Sequence, residues 1–312
     1  LGGSLAARRL WRAPGGPPRI VFSDVDGTLA HYAWQLGDEA EVRRGGRVRY
    51  HDCGQDRECI ALPSSTAGAA YMSLRTVELV QELRARGVLF VLITGARSST
   101  YLARRGLLPA ADFEVFENGG RVWRDGRPDE RWAERLRAQT GFNGTSDGSR
   151  PPPEARPEPL WQAYGQLAGL GWRLDARDYE TGFRVRLSEE DAPRFVREAA
   201  PILRKHGLAS STNLGLVDVF PRGSGKAAAA RHILRRLGIA PADAVALFDD
   251  DNDVEMGDLC GRSFLPAVTH GSVQALLAQR PAWEVMPHRG PLGTEEALER
   301  VLRLLPARGG QA

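Results

Sequence analysis

Two aspartates, Asp24 and Asp26, close a short apolar run, Ile20-Val21-Phe22, and lead into a Gly27-Thr28 turn. Thr94 follows a second apolar run, Val88 to Ile93, and Asp249 and Asp253 follow a third, Val245 to Phe248. Lys226 heads a helical stretch and is one of two lysines among 42 basic residues, so a compact ammonium is kept here in a chain that elsewhere uses arginine. Carboxylates gathered this closely repel one another unless a divalent cation compensates, and hard oxygen donors select Mg2+ over zinc or copper. With that cation the set suits phosphoryl transfer. Asp24 attacks phosphorus to form an aspartyl-phosphate, and Asp26 protonates the leaving alkoxide and then activates water. Thr94 and Lys226 hold the transferring oxygens.

Such residues work together only if the fold brings three strand ends to one place. The apolar runs lack polar alternation, which suits strands buried on both faces of a parallel sheet, where ligands bind beyond the carboxyl ends. A helix is expected from the N-cap Ser73, with Leu74, Val77, Val80 and Leu83 on one stripe and Gly87 as its stop. Further helices are expected over 99–106, 129–139, 159–170 and from a capping box at Ser188 and Asp191 to Lys205, and a final one capped by Thr294. Phe183, Val185 and Leu187 alternate with Arg184 and Arg186, so that strand has one wet face. Residues 31–72 show no sustained period and read as a flap that leaves the site and returns beside it. Leu216 to Phe220 reads as the point where the buried sheet resumes.

Two rival motifs fail on their own residues. Gly223-Ser224-Gly225-Lys226 resembles the end of a P-loop, but Phe220 stands at the first glycine and Ala227 where Ser or Thr must follow lysine. The acidic run from Asp249 lacks the EF-hand glycine and closing glutamate, since Val254 and Cys260 stand there. A net charge of +3 gives no field pointing to nucleic acid, and no apolar run approaches the roughly 20 residues of a membrane span. Three cysteines form no disulfide framework, which favours a reducing, intracellular compartment. His51, Cys53 and Cys59 lie near one another in sequence, yet no fourth zinc ligand follows at a recognisable spacing. Arg8, Arg9, Arg12 and Arg19 precede the first acid, so residues 1–18 read as a disordered tail or a transit-peptide remnant, the latter implying plastid or mitochondrion rather than cytoplasm.

On these residues the chain resembles the haloacid dehalogenase-like hydrolases. Asp24-Val25-Asp26-Gly27-Thr28 is similar to the first family motif and Ile93-Thr94-Gly95 to the second. Lys226 resembles the third, and Asp249 to Asp253 the acidic fourth. The resemblance implies an α/β fold: a Rossmann-like parallel-sheet core over 19–120 and 216–306, with an α+β cap over 121–215 like that of the Cof-type and sucrose-phosphatase-like branch. It implies Asp24 as nucleophile, Asp26 as acid/base, Thr94, Gly95, Lys226 and Asn252 as phosphate ligands, and Mg2+ held at Asp24, Asp26, Asp249 and Asp253. The implied activity is hydrolysis of a small phosphomonoester, a sugar phosphate first, and Asn118, Arg184 and Arg186 are candidate substrate contacts, the two arginines reading most simply as a solvated strand face. A phosphomannomutase-like mutase would reuse the aspartates with added cations from the cap. A non-catalytic phosphosugar-binding protein would keep the fold alone. One residue departs from the pattern: Phe248 stands where the family usually has glycine, a change expected to shift or crowd the acidic loop.

Overall fold

Ile20–Ser23 lies at the middle of an eight-stranded sheet in the computed structural model, which describes residues 16–64, 68–143, 150–188, 190–213 and 216–307. The tail expected over residues 1–18 therefore lies almost wholly outside the described residues. Across the sheet the order is Arg127–Pro128, Arg121–Arg124, Phe113–Phe116, Leu89–Ile93, Ile20–Ser23, Ala244–Leu247, Arg262–Leu265, Trp283–Val285. The six strands from Phe113–Phe116 onward are parallel, and the two at the Arg127–Pro128 edge form an antiparallel hairpin. The central strands carry unbroken apolar runs because helices cover both faces. Leu79, Val80, Leu83, Leu298 and Val301 pack on one side, and Ala229, Ile233, Leu234 and Met256 on the other. No helix among the described residues is long and apolar enough to cross a membrane.

A second, antiparallel sheet has the order Arg173–Asp175, Phe183–Arg186, Leu216–Pro221, Leu208–Asn213. Pro159–Gly169 and Ala192–Lys205 pack on it through Leu160, Trp161, Phe195 and Leu203. This is the α+β unit inserted into the α/β core. Its limits differ from those expected. Leu216–Pro221 does not resume the central sheet; it is a strand of the small one, with Asp218 directly across from Arg184. An apolar run reports burial but not which sheet does the burying, and that cross-strand ion pair favours the small sheet. Arg121–Arg124 and Arg127–Pro128 extend the central sheet, and Trp132 and Leu136 of the helix Glu130–Thr140 pack into the same core, which the chain re-enters at the helix Lys226–Leu237.

The flap is itself a sheet, ordered His31–Tyr32, Ala70–Ser73, Asp56–Leu62, Arg47–Tyr50, Ala40–Arg43. Its strands are short and half-wet, which hides their period in the sequence. Two helix readings also shift. Ser73 caps Leu74–Ala85 through its side chain as expected, but Leu74 is 44% exposed and the buried stripe is Thr76, Leu79, Val80 and Leu83. The last helix runs Gly290–Arg303, beginning before Thr294, whose hydroxyl instead donates to the Thr28 carbonyl at 2.5 Å.

Candidate active site

Ser23 is in register with Leu92 on one side and Leu247 on the other, so Asp24 emerges between the strand ends that lead to Thr94 and to Asp249. Lys226 reaches this point from the first turn of its helix, preceded by Gly225 at φ +100°. Gly119 presses against that turn, and a Cβ on it would lie 2.3 Å from the Gly225 carbonyl oxygen. The Asn118-Gly119 turn and the lysine helix are thereby fixed to each other.

The Lys226 Nζ lies 2.7 Å from Asp24 Oδ1, 2.9 Å from Asp253 and 3.5 Å from Asn252 Oδ1. Asp249 is held on both oxygens: Thr28 donates to Oδ1 at 3.0 Å and Thr269 to Oδ2 at 2.8 Å. Gly27, at φ +86°, lets the turn approach this carboxylate, because a Cβ there would stand 2.1 Å from Asp249 Oδ2. Thr94 is buried at the neighbouring strand end beside buried Gly95, and its hydroxyl accepts from the Ala96 amide, leaving its own proton to donate. The structure thus gathers Asp24, Lys226, Asn252, Asp253 and Asp249 at the ends of adjoining strands, with Thr94 and Gly95 one strand over.

Three carboxylates and one ammonium, each at most 5% exposed, leave this cluster with surplus negative charge. Burial pushes the Asp24 carboxyl up to about 6, against the pull of Lys226. Burial, together with neighbouring aspartates, raises Asp249 and Asp253 well above the ordinary carboxylate range. Burial opposes a charged Lys226, yet Asp24 and Asp253 outweigh it and raise its pKa, so the lysine stays an ammonium. Buried, oxygen-only and underneutralised, the donor set fits a hard divalent cation.

Phe248 does not crowd this loop. Successive strand residues face opposite ways, and its ring turns into the core, edge-on to Trp283 at 4.9 Å between centroids. Gly257 makes the space, since a Cβ there would lie 2.6 Å from the ring.

Asp26 faces away from Lys226 into a network that the sequence did not reveal. Its Oδ1 accepts from Arg104 Nη1 at 2.7 Å and from the Tyr32 hydroxyl at 2.9 Å. Arg104 is 1% exposed and also donates to the Pro63 carbonyl at 2.5 Å and the Tyr32 hydroxyl at 3.1 Å, so it joins Asp26 to two segments of the flap. Arginine at the end of a short helix carries no local signature, and only the tertiary fold brings it to the aspartate.

The residues expected toward the substrate sit at the junction of core and inserted unit. Arg184 binds Asp218 through two bonds, of 2.6 and 3.0 Å, and Asn118 Nδ2 donates to the same carboxylate at 2.7 Å. Asn118 Oδ1 is buried without a hydrogen-bond partner. Arg186 is half-exposed and 3.1 Å from Asp175. Glu117, at φ +52°, accepts at Oε2 from the Glu180 amide, the Thr181 amide and the Thr181 hydroxyl, tying the two units together.

Known proteins share features of this chain. The family model for haloacid dehalogenase-like hydrolases matches residues 179–275. A phosphoglycolate phosphatase of Aeropyrum pernix is 26% identical over 295 residues, covering 92% of this chain and 95% of that protein. The sucrose-phosphatase of Synechocystis sp. PCC6803, solved with sucrose and phosphate, superposes with a TM-score of 0.60 at 14% identity, over 91% of this chain and 98% of that one. The sugar phosphatase BT4131, of subclass IIB, does so with a TM-score of 0.56 at 13% identity, over 92% and 100%. The chain thus shares its fold with sugar phosphatases, aligns nearly end to end with a phosphoglycolate phosphatase, and from the inserted unit through Lys226 and the acidic loop resembles the haloacid dehalogenase-like hydrolases.

Proposed function

We propose that the chain is a Mg2+-dependent phosphatase that hydrolyses a small phosphomonoester, a sugar phosphate first among them, through an aspartyl-phosphate on Asp24. The observation that carries this reading is the Lys226 ammonium bonded to Asp24 and Asp253, beside an Asp249 held on both oxygens. Asp24, Asp249 and Asp253 would hold Mg2+, with Asp26 beside them, and the ion would supply charge neutralisation for the carboxylates and the phosphoryl oxygens. Because Lys226 occupies Asp24 Oδ1, attack on phosphorus falls to Oδ2. Asp26, steadied by Arg104 and Tyr32, gives a proton to the leaving oxygen and takes one from the water that cleaves the acyl phosphate. Thr94, Gly95, Lys226 and Asn252 surround the transferring oxygens.

The names of the relatives, two sugar phosphatases and a phosphoglycolate phosphatase, support a small phosphorylated metabolite as substrate. A mutase needs cationic contacts for a second phosphate, and Arg184 and Arg186 are already engaged by Asp218 and Asp175. The packing of Phe248 removes the one residue that favoured a silent site. The test is a panel of phosphosugars, phosphoglycolate and p-nitrophenyl phosphate, with Mg2+, against the chain and its Asp24→Asn variant. Mg2+-dependent release of inorganic phosphate that Asp24→Asn abolishes is expected. An isomerised ester without phosphate release would establish the mutase, and no turnover by folded protein would overturn the enzyme reading.

A further inference from the structure

The Arg47–Tyr50 to Asp56–Leu62 turn carries a second, chemically different cluster. Asp52, Cys53 and His288 each bring a ligand atom within 4.8 Å of the others, although His288 is more than 230 residues away in sequence. His51 and Cys59, which accompany Cys53 in the sequence, are not part of it: His51 Nδ1 lies against the Asp38 carbonyl, and the Cys59 thiol against that of Arg57.

The geometry is arranged around the imidazole. Glu296 Oε1 lies 2.6 Å from His288 Nδ1, and Glu296 Oε2 accepts from the His288 amide at 3.2 Å. A carboxylate on Nδ1 fixes a ring proton there and turns Nε2 outward toward Asp52, where a bound cation would replace any proton shared with that carboxylate, the orientation found in carboxylate–histidine–metal triads. Asp52 Oδ2 stands 3.3 Å from Nε2, while its Oδ1 accepts from the Cys53 amide at 2.6 Å, so the aspartate is also set in place. Cys53 is free and exposed. One sulfur, one nitrogen and one carboxylate oxygen suit zinc and disfavour Mg2+, which prefers oxygen donors throughout.

We propose that Asp52, Cys53 and His288 form a zinc site, with Glu296 orienting the histidine and water completing a tetrahedron. On binding, the Cys53 thiol gives its proton to solvent and the thiolate takes the ion; nothing is oxidised. The bound ion clasps the tip of the flap to the loop before the Gly290–Arg303 helix. The same seam is already crossed by Tyr50, whose hydroxyl accepts from the Leu292 amide and donates to the Arg289 carbonyl, both at 2.8 Å. The site is independent of the phosphatase reading.

The test is titration of the full chain, freed of metal, with Co2+ in excess Mg2+. One equivalent should give the intense visible bands of tetrahedral cobalt with a thiolate-to-cobalt charge-transfer band, both displaced by Zn2+. Cys53→Ser should remove the charge-transfer band and His288→Ala the tetrahedral spectrum, whereas Cys59→Ser should leave both. Glu296→Gln should weaken Zn2+ binding by about 10- to 100-fold. Weak octahedral bands alone, or a thiolate band that survives Cys53→Ser, would overturn the assignment. Circular dichroism of each variant keeps loss of fold separate from loss of the site.

Discussion

Asp24 and Asp218 are both buried aspartates bonded to a cation, and they do opposite things to the molecule. At the junction, Asp218 faces Arg184 one to one through two bonds and also accepts from Asn118, so the charges cancel in place. At the strand ends, Asp24 and Asp253 share a single Lys226 while Asp249 is held by two threonine hydroxyls, and the carboxylates are pushed toward their protonated forms. Burial alone therefore does not mark a site. What distinguishes the two clusters is balance of charge: the junction is neutral as folded, whereas the strand-end cluster holds charge that a cation would offset.

Breaking each cluster should give different signatures. Asp249→Asn removes surplus charge, so Mg2+-dependent turnover should fall about a thousandfold or more while the metal-free melting temperature rises. Phosphate release and calorimetry check the two halves; a fall in both activity and metal-free stability would show the cluster to be structural. Arg184→Met leaves Asp218 buried without its guanidinium, which should cost about 3–5 kcal/mol in urea unfolding.

A pH comparison sharpens the contrast. Asp24 binds its proton more tightly folded than unfolded, so in metal-free protein its contribution is fully present below its ordinary value of 3.8 and is lost as pH rises through about 6. The same proton competes with Mg2+. The melting-temperature increase given by Mg2+ should therefore be larger well above pH 6 than below it, as calorimetry at both pH values would show. The smallest effect is expected at the exposed Arg186–Asp175 pair, where Arg186→Ala should change unfolding free energy by less than about 1 kcal/mol.

Much of the site was legible because its residues sit directly after strands that announce themselves. Ile20 to Phe22, Val88 to Ile93 and Val245 to Phe248 are contiguous apolar runs, so Asp24, Thr94 and Asp249 could be placed from local pattern and parallel topology alone. Long-range partners left no such trace. Arg104, Tyr32 and Thr269 reach the aspartates only through tertiary packing. Leu216–Pro221 carried the right burial signal but the wrong sheet, since register with Arg184 is invisible in one strand read alone. The strands of the flap were missed because runs such as Arg47-Val48-Arg49-Tyr50 are too short to establish a period. Phe248 misled in the other direction: its effect depended on Gly257, nine residues on and within the helix Val254–Leu259.

The role of Asp24 is tested most directly with Asp26→Asn and p-nitrophenyl phosphate in Mg2+. Nitrophenolate leaves without needing a proton, so phosphorylation of Asp24 should proceed while water attack on the acyl phosphate slows. The predicted result is a burst of one nitrophenolate per chain, followed by slow turnover, with a phosphoryl group mapped to Asp24 after acid quench and peptic digestion. Turnover by this variant with no burst and no phosphoryl group on Asp24 would contradict the role assigned to that carboxylate.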